Sequence, residues 1–175
     1  MKTFLLALLL SASAFAADET VTHRITGLFA PSREADLRAV IGQMPGIKLT
    51  TIEFDRAEAT FLYDPAVVFK GTKADEIVKR LDEKVRAASH STFGVQPVIT
   101  TPREQFTRIE IPVIGLDCKA CCLAAYEAIW KIDGIAQATV SFKEGRITAL
   151  IDPSKTNRAA LEAALEKEQV KIKAP

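Results

Sequence analysis

The sequence predicts an α+β protein built from two consecutive βαββαβ units. The first observation is an internal repeat, because the chain aligns with itself without gaps at an offset of 88 residues. The second is that each copy contains two segments with the three-and-four spacing of a buried helix face, and several short strand-like runs. The aligned pairs include Gly27-Leu28 with Gly115-Leu116, Gly46-Ile47 with Gly134-Ile135, Phe54 with Phe142, and Asp64-Pro65 with Asp152-Pro153.

Each copy is expected to begin with a strand, over Arg24–Thr26 and Arg108–Ile114, and to continue through a glycine-led loop into a helix. The helix should end before Gly46 in the first copy and Gly134 in the second, because glycine readily adopts the left-handed conformation that caps a helix. The apolar positions that define the buried face are Leu37, Val40, Ile41 and Met44 in the first copy and Ala125, Ala128, Ile129 and Ile132 in the second.

A hairpin, a second helix and a closing strand complete each copy. The hairpins are predicted at 49–54 with 57–63 and at 137–142 with 146–151, and the last strands at 93–99 and 170–172. The second helices should cover about 73–88 and 157–167, with Thr72 and Thr156 as N-caps. This order is that of the split βαβ, or ferredoxin-like, sandwich. The predicted domains are therefore 17–99 and 107–175, joined by a linker at 100–106 that contains Pro102.

Residues 1–16 have the pattern of a secretory signal peptide: Lys2, an apolar run, and Ala14-Phe15-Ala16 at a cleavage site. This pattern predicts that the mature chain is exported, to the periplasm or outside the cell. Because the apolar run is too short to cross a bilayer, no membrane span is expected in the mature chain. Without Lys2 the 23 basic residues become 22, which balances the 22 acidic residues. Such a balance argues against a nucleic-acid-binding protein.

All three cysteines of the chain lie within five residues, at Cys118, Cys121 and Cys122. Cross-links that stabilise an exported domain close long loops, so this cluster indicates metal binding or thiol chemistry. Cys118 in the loop and Cys121 in the first helical turn would face one point, where the helix N-terminus and Lys119 favour thiolates. With neither histidine nor carboxylate counted among the ligands of the motif, two sulfurs favour a thiophilic ion such as Cu(I).

The segment Gly115-Leu-Asp-Cys118-Lys-Ala-Cys121, followed by the apolar helix, Gly134 and Asp152-Pro153, resembles the heavy-metal-associated domain. The resemblance implies that Cys118 and Cys121 hold Cu(I), with Hg(II) or Zn(II) as alternatives, and transfer it to a metal-transporting or metal-accepting protein that docks on the cysteine face. Leu116 replaces the family's methionine, a packing residue. Glu168-Gln-Val170 replaces a Gly-Tyr pair of the family, which leaves the identity of the metal less constrained.

The first copy has Ala30 and Arg33 at the positions of the two cysteines, so it is predicted to be a degenerate domain without metal ligands. It is either a structural or docking half or a surface that recognises a donor or acceptor protein. Trp130 is expected on the helix side away from the core, where it packs against the first copy or a partner, or has no role. His23 and His90 are expected at the surface rather than as ligands.

Cys122 should point away from the site, because neighbouring helical residues differ in direction by about 100°. The aligned residue is Glu34, which indicates partial exposure of Cys122. A role as a third ligand is the lesser alternative, and capture of Hg(II) or cross-linking of two molecules are others. The rival function for the cysteine pair is thiol–disulfide exchange, because a CxxC pair at a helix start is also the arrangement of oxidoreductases. The βαββαβ order argues against that rival, so no enzyme is predicted.

Overall fold

The computed structural model describes residues 18–173. The predicted signal peptide at 1–16 lies outside the described residues. The first half comprises β1 (Glu19–Thr26), α1 (Arg33–Gly42), β2 (Ile47–Glu53), β3 (Glu58–Tyr63), α2 (Pro65–Val68), α3 (Ile77–Ala88) and β4 (Gly94–Gln96). The second half comprises β5 (Thr107–Ile114), α4 (Lys119–Trp130), β6 (Ile135–Ser141), β7 (Arg146–Ile151), α5 (Arg158–Lys167) and β8 (Lys171–Ile172).

Each half forms an antiparallel sheet of four strands, in the order β2-β3-β1-β4 and β6-β7-β5-β8. The two longer helices of each half pack on their own sheet and enclose a separate hydrophobic core. Leu37, Ile41 and Leu81 lie in the first core, and Ala125, Ile129 and Leu161 in the second. The prediction of two ferredoxin-like α+β sandwiches is therefore confirmed. No helix within residues 18–173 is long and apolar enough to cross a lipid bilayer.

Both predicted N-caps of the second helices are wrong. In the second half the cap is Asn157, whose side chain accepts a hydrogen bond from the amide of Ala160 at 3.1 Å. In the first half α3 begins only at Ile77, after a 3₁₀ turn at Ala74–Glu76, and no side chain caps it. The chain there is shaped by α2, a short helix that Asp64 caps by accepting a hydrogen bond from the amide of Ala66.

His23 is buried, and the prediction of a surface histidine is wrong at this position. It lies in β1 with its ring 6.0 Å from that of Phe61, on the core side of the sheet. Among the described residues, no group forms a hydrogen bond with its Nε2 atom. Burial disfavours the charged imidazolium and lowers the pKa of His23.

This burial predicts that acid destabilises the protein through His23. The unfolded chain takes up the proton near the ordinary pKa of about 6.5, whereas the folded chain does so only at lower pH. The free energy of unfolding should therefore fall as the pH drops below about 6.5, and this loss should end below the lowered pKa of the folded state. Denaturant unfolding between pH 7 and 4 measures this slope.

The matched variants are His23→Leu, which replaces the ring with a non-titrating apolar side chain, and His90→Asn, which removes the exposed histidine. We expect a shallower slope between pH 7 and 5 for His23→Leu than for His90→Asn. An unchanged slope in His23→Leu would show that burial of this imidazole does not determine the acid sensitivity.

Candidate metal centre

The loop between β5 and α4 places the cysteine pair at the start of a helix. Gly115 turns the chain with φ of +82°, and Leu116 anchors the loop in the second core. Cys118 then occupies the N-cap position in extended conformation, and its Sγ accepts a hydrogen bond from the amide of Cys121 at 3.0 Å. A sulfur in this position satisfies one of the amides that the first helical turn leaves unpaired.

Cys118 and Cys121 lie with their Cα atoms 5.1 Å apart and are joined by a disulfide. Cys118 is exposed and Cys121 is partly buried, so solvent and small reagents can reach the pair. Lys119 is also exposed and adds a positive charge to the first turn of α4. The structure thus brings together the two residues that the sequence identifies as metal ligands, here in their oxidised form.

Asp117 joins the pair, although the sequence interpretation counted no carboxylate among the ligands of the motif. Its Oδ1 lies 3.6 Å from the Sγ of Cys121, and the ligand atoms of Asp117, Cys118 and Cys121 all lie within 4.8 Å of one another. Since a disulfide has no proton to donate, the 3.6 Å approach becomes a hydrogen bond only in the reduced protein. The sequence did offer a signal for this third group, because Asp117 directly precedes Cys118.

Cys122 points from α4 into the second core and is buried there. Its Sγ is 4.0 Å from the carbonyl oxygen of Leu116, and burial raises the pKa of the thiol. The direction predicted from helical geometry agrees with this position, but the partial exposure inferred from Glu34 is wrong. A neutral thiol facing the core is a poor metal ligand and a poor nucleophile.

The equivalent loop of the first half is filled by side chains. Arg33, which aligns with Cys121, places its guanidinium carbon 4.5 Å from the ring centre of Phe93 and 5.2 Å from that of Phe29, and it forms an ion pair with Asp36. Ala30, which aligns with Cys118, packs against the second core. Within residues 18–173, the group of side chains close enough together to hold a metal ion consists of Asp117, Cys118 and Cys121. Neither His23 nor His90 belongs to it.

No family model matches the chain. The chain is 25% identical over 161 residues to the human protein "Copper-transporting ATPase 2" and 23% identical over 153 residues to "Copper-exporting P-type ATPase" of Bacillus subtilis. These alignments cover 84% and 87% of this chain but only 11% and 17% of the ATPases.

Among solved structures, the N-terminal soluble domains of Bacillus subtilis CopA match 90% of this chain and 94% of their own, at 19% identity and a TM-score of 0.37. Apart from the short α2 of the first half, each half of the chain has the βαββαβ order, and the second half carries the cysteine pair at the start of its first helix. With the alignment to two copper-transporting ATPases over most of the chain, these features support the resemblance to the heavy-metal-associated domain family.

Proposed function

We propose that the chain binds one soft metal ion, Cu(I), through the thiolates of Cys118 and Cys121 and passes it to a partner protein. The observation that carries this proposal is the position of both sulfurs at the N-terminus of α4, within reach of solvent. The names of the two curated relatives, both copper-transporting ATPases, support copper as the cargo. Since the chain spans less than a fifth of either relative, the ATP-driven transport of those proteins is not part of the proposal.

The helix start favours the form of cysteine that binds metal. The amide of Cys121 already points at the Sγ of Cys118, and the positive end of the helix lies behind both sulfurs. These groups stabilise a thiolate more than a thiol, as does the neighbouring charge of Lys119. Two thiolates without further ligands suit the low coordination number that soft monovalent ions accept, whereas tetrahedral Zn(II) needs two more ligands.

The carboxylate of Asp117 lies close enough to the two sulfurs to serve as a third, harder ligand for Zn(II). Carboxylate oxygen binds Zn(II) well and Cu(I) poorly. We therefore predict that Asp117→Asn lowers the affinity for Zn(II) by roughly 10-fold or more, the scale seen when groups supporting a metal site are lost, and changes the affinity for Cu(I) much less. Competition titrations with chromophoric chelators measure both. Asp133→Asn removes an exposed carboxylate outside the cluster and serves as control. Equal losses for the two metals in Asp117→Asn would contradict a ligand role.

The partner is expected to dock at the end of the second domain that carries the cysteines. β5 and β6 run in the same direction, because each is antiparallel to β7, so Ile114 and Phe142 lie at the end where the metal loop begins. The side chains of both are exposed, Ile114 by 51% and Phe142 by 69%. Apolar side chains beside a metal loop would become buried against a docked protein.

The proposed compartment is outside the cytoplasm, on the strength of the signal-like pattern at 1–16. An oxidising compartment favours the disulfide between Cys118 and Cys121. Metal binding would then require that the pair is reduced first, or that the ion arrives before oxidation.

The experiment is anaerobic loading of the reduced chain followed by mass measurement under native conditions. We expect one Cu(I) per chain in the reduced protein and none in the same protein carrying the disulfide. The oxidised chain is the matched control, because it differs only by two protons and two electrons. The absence of a bound ion in the reduced chain would refute the proposal.

The disulfide itself supports a second candidate function, thiol–disulfide exchange, because the exposed Cys118 sulfur is open to attack by an external thiolate. This candidate predicts that a catalytic amount of the chain speeds the reduction of insulin by excess dithiothreitol, followed as turbidity over time. A rate equal to that of a simple dithiol at the same concentration would exclude it.

A further inference from the structure

The two domains contact each other directly and leave a cleft at their junction. The side chain of Phe29, from the first domain, lies in the hydrophobic core of the second. The hydroxyl of Tyr126 accepts a hydrogen bond from the amide of Gly27 at 3.0 Å, and the guanidinium of Arg24 lies 3.9 Å from the ring centre of Trp130. Because these contacts join the domains, the cleft is formed before any ligand arrives.

The cleft has a volume of about 290 Å³ and lies beside the linker. Ile99, Phe106 and Leu150, all partly buried, form its apolar wall. A smaller hollow of about 160 Å³ shares Arg24, Ile99 and Phe106 with it, so Arg24 lies where the two spaces meet. Small-molecule sites have volumes of about 300–1,000 Å³ and combine apolar walls with a few polar groups. The cleft is close to the lower end of this range, which favours a small ligand.

Arg24 is a buried cation whose hydrogen-bond partners are all uncharged. Its side chain belongs to a residue that is only 9% exposed, and it donates to the carbonyl oxygens of Ile135 and Ala136 and, at 3.4 Å, to the side chain of Gln96. Within residues 18–173 its Nε atom has no partner. Burial lowers the pKa of Arg24 to about 10, so it stays charged at neutral pH. A buried charge held only by neutral groups is stabilised further when an anion binds beside it.

The other charged side chains of the cleft are of both signs. Arg56 donates to both carboxylate oxygens of Glu58, at 2.9 and 3.3 Å, so these two groups satisfy each other. Asp55, Arg103 and Glu104 are exposed on the cleft walls, and none of them forms an ion pair with another described residue. Positive and negative groups therefore both remain available to a ligand.

We propose that this cleft binds a free α-amino acid with an apolar side chain. The carboxylate of the ligand pairs with Arg24, its ammonium group faces Asp55 and Glu104, and its side chain lies on the apolar wall. A simple anion would be repelled by the two carboxylates, and a simple cation by the buried guanidinium, so a small molecule that carries both charges is complementary to the site. The site is separate from the cysteine pair and does not depend on the proposed metal binding.

The test is a titration of the full, disulfide-bonded chain with L-leucine, isocaproate and isoamylamine, followed by amide chemical shifts in nuclear magnetic resonance spectra. Isocaproate lacks the ammonium group of leucine, and isoamylamine lacks its carboxylate. We expect saturable shifts at residues 99–106 and at Ala136 with leucine. Each of the other two probes should bind roughly ten-fold more weakly or worse, the scale of a lost hydrogen bond to a charged group. No saturable shift with leucine, or equal binding of leucine and isocaproate, would overturn the proposal.

Variants of the cleft separate its two kinds of charge. Arg24→Gln should weaken leucine binding by roughly ten-fold or more. The double variant Asp55→Asn, Glu104→Gln changes two exposed residues and should weaken it by about two- to five-fold, because exposed ion pairs are weak. Arg80→Gln removes an exposed arginine of α3 outside the cleft and should leave the affinity unchanged.

An affinity for leucine that is the same in Arg24→Gln as in Arg80→Gln would contradict the assignment. If Arg24→Gln does not fold, an unchanged affinity in the double variant would contradict it instead. Because the titration uses the disulfide form without metal, its outcome is independent of whether the reduced chain binds Cu(I).

Discussion

Replacement of Gly27 by alanine is expected to destabilise the protein by about 2–5 kcal/mol, the sum of a left-handed backbone penalty and overpacking. Gly27 adopts φ of +91°, which residues with a Cβ rarely do. A Cβ atom there would lie 2.1 Å from the carbonyl oxygen of Thr92 and 2.9 Å from the Phe93 ring. Since the clash involves backbone, either the loop or the end of β1 must move, and the bond from Gly27 to Tyr126 would be strained as well.

Gly115 is the matched control because it occupies the aligned position of the second domain. Its φ is +82°, but a Cβ there would meet nothing within 4 Å. Gly115→Ala should therefore carry only the backbone penalty, about 1–2 kcal/mol. Denaturant unfolding of the two variants measures the difference. Equal losses would show that the contact with Thr92 relaxes freely and that the close approach is not a constraint on the fold.

The sequence allowed the sandwich to be predicted because its signals are local and occur twice. Gly46 and Gly134 do adopt positive φ, +78° and +91°, but in the turns directly before β2 and β6. The C-caps of α1 and α4 are Gln43 and Lys131 in the right-handed conformation, so the predicted left-handed glycine caps are wrong. The helix faces identified by spacing lie in the two cores, with Ile41 and Ile129 fully buried. An internal repeat predicts the order of the helices and strands well. It predicts their first and last residues less well, because these depend on local caps such as Asn157.

The contact between the domains could not be predicted, because it depends on pairs separated by about a hundred residues in sequence. Phe29 appears in the sequence as one more apolar residue beside a loop, and nothing local shows that it enters the other core. Trp130 was expected away from its own core, and this is wrong, because it packs against that core beside Tyr126. The expected contact with the first copy is present, since Trp130 also packs on Arg24 of the first domain. Of the two roles predicted for the first domain, these contacts favour the structural and docking role.

The sequence identified the two cysteines of the candidate site, but it did not reveal the groups that lie around them. The two-residue spacing of Cys118 and Cys121 is a strong local signal, whereas the approach of Asp117 to Cys121 depends on the turn that Gly115 and Leu116 set. The prediction of Cys118 and Cys121 as the metal ligands remains a prediction until metal binding is measured. The burial of His23 was missed because a histidine in a strand carries no signal for the face on which it lies.

Changing Cys118 or Cys121 to serine should abolish retention of Cu(I), with the affinity falling by more than about 100-fold, the upper end of what loss of an outer-shell partner costs. A hydroxyl is a harder and far weaker ligand than a thiolate for a soft ion, and one remaining thiolate cannot close a two-coordinate site. Competition with a chromophoric Cu(I) chelator measures the change under anaerobic conditions. Either single variant suffices, since both sulfurs are required.

Cys122→Ala provides the control that separates a metal site from a general effect of thiols. Cys122 is buried beneath the loop, its sulfur faces Leu116, and its pKa is raised, so its removal should leave one Cu(I) per chain. A loss of Cu(I) in Cys122→Ala comparable to that in Cys118→Ser would instead identify a third sulfur ligand, which requires that α4 unwinds by part of a turn when the metal binds. The retained stoichiometry is the expected result because a helix that keeps Cys122 in the core also keeps Cys118 and Cys121 at its exposed end.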